Sequence, residues 1–133
     1  MKQIHLMVGV VTVVLFLGTG VYMRMEFPEL YAEHEVIRFL FRANHVYILF
    51  SGLLNVVAGL YMFVSEIPRK RTLQRAGSWL LLASSPTFLL AFAIEPMQAN
   101  PMRPLTVTAA FMALVGVALH FLANAVPSQQ AKN

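Results

Sequence analysis

Four apolar runs, each long enough to cross a lipid bilayer, fill most of a chain of 133 residues. They are Ile4 to Met23, roughly Val36 to Val64 (strongest from Val46), Gly77 to Ile94, and Leu105 to Val126. About 20 predominantly apolar residues span the hydrocarbon core as a helix. No water is present there to satisfy backbone N–H and C=O groups, so the spanning segments must be helical. The expected fold is an all-α integral membrane protein, a four-transmembrane-helix bundle forming one domain over residues 1–133. The transmembrane segments are expected at about 4–23, 43–64, 77–95 and 105–126, with a polar tail at 127–133. Composition agrees: 58% of residues are hydrophobic, 12% are charged and the mean hydropathy is +0.65. A soluble domain carries about twice that charged fraction.

The first run also has features of a secretory signal, since Lys2 precedes it and Gly18 and Gly20 follow at a cleavage spacing. It is longer than the apolar core of a signal peptide, about 7–15 residues, and is read as a membrane helix.

Orientation follows from the loops. Arg69, Lys70, Arg71 and Arg75 lie between runs two and three against a single Glu66. Dense Lys/Arg clusters mark cytoplasmic loops. Both termini are then cytoplasmic, and the first and third loops face outward, into the periplasm of a bacterial inner-membrane protein. The net charge of +4 fits that class, and no basic run interleaved with aromatics suggests nucleic acid.

The segment 28–42 reads as an outward amphipathic extension of helix 2. Pro28 suits a first helical turn, and Glu29, Glu33 and Glu35 precede Arg38 and Arg42 as the helix dipole prefers. One helix from about Pro28 into the second run, bending near Asn44, is expected. In the third run Pro86 removes a backbone hydrogen bond and predicts a kink, with Ser84, Ser85 and Thr87 at hand to satisfy freed carbonyls. Three prolines between Glu95 and Pro104 predict a short, stiff third loop.

His34, Arg38, Arg42 and His45 recur at steps of four, four and three, which places them on roughly 80° of one helix face. Gly52, Asn55 and Gly59 continue that face into the apolar run. Such a stripe must meet protein, a ligand or water rather than lipid tails. It is the main candidate for a partner or ligand face, with the stretch from His45 to Gly59 its most informative part.

Three chemistries compete with simple packing as explanations of the polar residues. A b-type haem needs an axial histidine, usually two on facing helices. His5 and His120 fall at the inner end of helices one and four, His5 with Gly9 and Thr12 nearby, His120 beside Ala109, Ala113 and Gly116. His45 is a third axial candidate. His34 and His45 stand about 16 Å apart along a continuous helix and cannot share one iron. Small residues are equally how membrane helices pack. Copper would suit the thioethers of Met23, Met25, Met97 and Met102 at the outer face, although methionine commonly fills apolar gaps. An anion or lipid-headgroup site would draw on Arg24, Arg38, Arg42 and Arg103. Internal pairing, Glu35 with Arg38 and Glu26 or Glu95 with the others, competes with it.

Catalysis has little behind it. The chain contains no cysteine and no aspartate, which removes thiolate chemistry, disulfides and any Ser-His-Asp set. It carries no HExxH and no Gly-rich phosphate loop. The reading that follows is a small non-catalytic membrane subunit, scaffold or assembly factor. It would sit in the lipid bilayer as a homo-oligomer or part of a larger membrane complex. A haem-binding or small-solute or metal transport protein is the alternative.

Overall fold

The computed structural model describes residues 1–29, 31–62, 65–98 and 102–125. Four helices account for nearly all of them: α1 Lys2–Glu26, α2 Glu35–Tyr61, α3 Pro68–Gln98 and α4 Pro104–Ala125. All four are long and apolar enough to cross a membrane. The expected tail at 127–133 lies outside the described residues.

The helices pack in chain order. α1 lies against α2, α2 against α3 and α3 against α4, while α1 barely touches α3. Close approach is made possible by glycine. A Cβ added to Gly59 of α2 would sit 2.6 Å from the backbone nitrogen of Leu6 in α1. One added to Gly77 of α3 would sit 2.7 Å from the carbonyl oxygen of Gly116 in α4. Where lipid tails are as apolar as the helices, contact of this kind holds membrane helices together. Phe41, Ile48, Phe88, Ala91, Ala109 and Ala113 are fully buried between them.

Three local expectations change. Among the described residues no helix begins at Pro28: residues 27–29 and 31–33 form turns and bends, and α2 begins at Glu35. Aromatic packing accounts for this. Phe27 and Tyr31 meet edge to face at 6.0 Å, and both rings pack on Phe41 of α2, at 6.0 and 5.4 Å. The connection is thereby folded onto the end of the bundle instead of extending from it. α2 then runs unbroken through Asn44 to Tyr61, about 40 Å, close to one bilayer.

The basic cluster is not a loop. Arg69, Lys70, Arg71 and Arg75 belong to the opening turns of α3, whose first residue is Pro68, a position where proline's missing N–H is harmless. At the other end α3 continues through both Pro86 and Pro96 to Gln98. The third connection is correspondingly shorter than the expected 95–104 span. Along α3, Ser84 and Thr87 donate their hydroxyls to the carbonyls of Leu81 and Ala83.

Candidate functional site

The polar stripe of α2 is used mainly inside the chain. His34 is its exposed N-cap residue. His45 stacks on Phe16 of α1 with ring centroids 4.0 Å apart, and its Nδ1 is 2.9 Å from the Thr19 hydroxyl. Gly52 lies against Thr12, and Gly59 against Leu6. From His45 to Gly59, then, the face meets α1 of the same chain, not open membrane. The two arginines behave differently. The Arg42 guanidinium lies over the Phe27 ring at 5.8 Å. Arg38 has its Nε buried without an acceptor. Neither arginine forms an ion pair, so the expected Glu35–Arg38 pairing is absent; among the described residues the ion pair is Arg103–Glu95.

Two buried polar clusters flank the middle of the bundle, each built on an asparagine of α2. At the end holding Lys2 and the start of α3, Asn55 is fully buried. Its amide nitrogen reaches the carbonyl oxygens of Ser51 (3.0 Å) and Leu81 (3.1 Å) and the Ser85 hydroxyl (3.0 Å). Its oxygen therefore faces His5 Nδ1, at 2.7 Å. Only a protonated Nδ1 can donate to that oxygen. In the neutral ring His5 Nε2 then carries a bare lone pair, and it is buried without a partner among the described residues. Nearby, His120 Nε2 is 3.2 Å from Ser78 Oγ, which donates to Met62 Sδ at 3.5 Å.

At the opposite end Glu95 of α3 is 2% exposed. Its carboxylate accepts the Thr106 backbone N–H at 2.9 Å and the Thr106 hydroxyl at 2.5 Å. Thr106 stands in the first turn of α4, where backbone N–H groups have no intrahelical acceptor. Glu95 thus caps α4 from the neighbouring helix, and its charge suits the positive end of the dipole. Arg103 Nε is 3.8 Å from Glu95 Oε2, and its guanidinium lies over Tyr47 at 5.7 Å. Asn44 joins the two: its amide donates to Ala91 O at 2.9 Å, and its oxygen accepts from Arg103 and lies 2.9 Å from the Thr106 hydroxyl oxygen. Arg103 adopts φ 44, a left-handed conformation that is uncommon for a residue with a side chain. This network holds the strain in place.

The sequence does not reveal that Asn44 and Thr106 join Glu95 and Arg103 in this second cluster. The sequence offers Arg103 both to an outer mouth with Arg24, Arg38 and Arg42 and to internal pairing with Glu95; the structure pairs it with Glu95. A signal was present: an amide within an apolar run needs partners on facing helices, and Asn44 and Asn55 are spaced to share one face of α2.

The remaining candidates are dispersed. Met23 is buried in the aromatic core, whereas Met25, Met97 and Met102 are exposed. Met97 Sδ accepts from the Tyr31 hydroxyl at 3.9 Å. No group of three or more His, Cys, Asp or Glu gathers at metal distance among the described residues. The small residues that accompany His5 and His120 in sequence, Gly9 and Gly116, lie against α2 and α3. The space they open is filled by neighbouring helices. Comparison with known protein families, with curated proteins and with solved structures finds no match to this chain.

Proposed function

We propose that this chain is a small non-catalytic membrane subunit or scaffold that works through the outer faces of α1 and α4. One observation carries the reading. Only 17% of the apolar window of α1 and 22% of that of α4 is buried within the chain, against 50% for α3. The outward faces present Met7, Val14, Leu17 and Val21 on α1, and Phe111, Leu114 and Phe121 on α4. The polar face of α2, by contrast, is already covered by α1. Partner helices would pack against α1 and α4, with lipid covering what they leave. The bacterial inner membrane with both termini cytoplasmic is the setting that the basic start of α3 favours. Self-association is the simplest assembly. The test is the mass of the particle in nanodiscs, together with cysteine crosslinking from α1 and α4. A particle of more than one chain, crosslinked through Leu17 or Leu114 positions, supports the reading. A single chain with no crosslinked partner in native membranes contradicts it.

A second reading has the bare Nε2 of His5 behind it. A metal-ligating histidine commonly fixes its other nitrogen on a hydrogen-bond acceptor, as Asn55 does for His5. An axial contact to a b-type haem, or to a soft metal shared with His120 and Met62, would use that lone pair. A visible spectrum and elemental analysis of the purified protein decide it. A Soret band or stoichiometric metal lost in His5→Ala favours this reading, and a colourless, metal-free preparation overturns it.

A further inference from the structure

Glu35, Arg38 and Arg42 line one cleft of about 370 Å³ at the start of α2, together with Val36 and Phe39. At steps of three and four they share a helix face. Opposite charges so placed on a helix usually pair, yet no ion pair forms between them. Arg38 Nε is buried with no acceptor among the described residues. Phe39 and Val36 are 65% and 61% exposed, an apolar rim beside the charges. The cleft opens where α2 begins, at the level where a spanning helix meets the headgroup layer.

We infer that this cleft holds the headgroup of a phospholipid bearing both a phosphate and a primary ammonium. The arginine forks would take the phosphate oxygens, the geometry in which guanidinium excels. Glu35 would take the ammonium, and Val36 and Phe39 would lie along the acyl chains. A headgroup with phosphate alone would leave Glu35 facing a second negative charge. A trimethylated ammonium would offer Glu35 no hydrogen-bond donor. The carboxylate is therefore the element that selects among phospholipids. The inference rests on the reading that the four helices span a bilayer.

The experiment is native mass spectrometry of the delipidated full chain in mild detergent. It is titrated with short-chain phosphatidylethanolamine, phosphatidylglycerol and phosphatidylcholine, and separately with free phosphoethanolamine and inorganic phosphate. Phosphatidylethanolamine is expected to bind most tightly, and the two soluble compounds far more weakly. Glu35→Gln should erase the preference over phosphatidylglycerol, a change of about two- to fivefold. Arg38→Gln with Arg42→Gln should weaken all three lipids by about tenfold. Arg69→Gln with Lys70→Gln, at the other end, should leave the preference intact. Phosphatidylglycerol binding as tightly as phosphatidylethanolamine to the unmodified chain overturns the inference. So does free phosphoethanolamine competing at equal affinity. The wild-type comparison decides the matter even if the arginine variant fails to fold. Carbonate extraction of membranes separates the two levels of failure: a chain washed off the membrane undoes the spanning reading itself.

Discussion

The two asparagines of α2 perform the same structural task with different chemistry. Asn55 ties α1, α2 and α3 together using only neutral groups: two carbonyls, a serine hydroxyl and a histidine ring. Asn44 ties α2, α3 and α4 together around a carboxylate and a guanidinium. The charged cluster sits where α3 ends and α4 begins, near the chain reversal. There the carboxylate has a second role, satisfying the start of α4. Each cluster leaves one buried nitrogen without a hydrogen bond, His5 Nε2 in the neutral one and Arg103 Nε in the charged one. The charged cluster depends in addition on a matched pair. Their responses to mutation should differ accordingly.

The largest effect is expected at Arg103. Arg103→Ala leaves Glu95 buried without its counter-charge, a loss of about 3–5 kcal/mol. Adding Glu95→Gln should recover a large part of it. Unfolding in mixed detergent micelles measures both, and a single variant as stable as wild type would show that the pair is idle. Asn55→Ala comes next, at about 1–3 kcal/mol, because it strips a buried histidine, two helix carbonyls and the Ser85 hydroxyl of a partner. A loss larger than that of Arg103→Ala would reverse the ranking of the two clusters. Ser78→Ala should be smallest, about 0.6 kcal/mol, the average for one interhelical hydrogen bond in a membrane. If it instead matched Asn55→Ala, His120 would belong to the same cooperative cluster as His5.

Much of the helical architecture was legible in the sequence, because length and continuity of apolar residues suffice to demand helices in lipid. The helix limits were less so. Pro28 has the local signature of a helix start, but Phe27 and Tyr31 pack on Phe41 and fold the chain there. That is a tertiary contact no local pattern reveals. The stripe on α2 was visible as a stripe, but not what covers it. Gly52 and Gly59 advertise a close neighbour without saying whether it comes from the same chain. Glu95 and Arg103 are only eight positions apart and of opposite charge, yet their pairing depends on Thr106 and Asn44 arriving from two other helices. Asn55 stood out as an amide in an apolar run, whereas the bare nitrogen of His5 follows only from the direction of the Asn55 amide.

The small and polar face of α2 from His45 to Gly59 is a seam with α1 of the same chain. A pair of engineered cysteines tests it directly, since the chain has none of its own. The Cβ position at Gly52 lies 3.3 Å from Thr12 Cβ, near the lower edge of the range of about 3.5–4.5 Å found in disulfides. Thr12→Cys with Gly52→Cys, oxidised in native membranes, should give a disulfide within single chains, seen as a faster-migrating monomer without reductant. Crosslinked dimers in place of that monomer, or two cysteines that stay reduced, would contradict the account and return the face to an external partner.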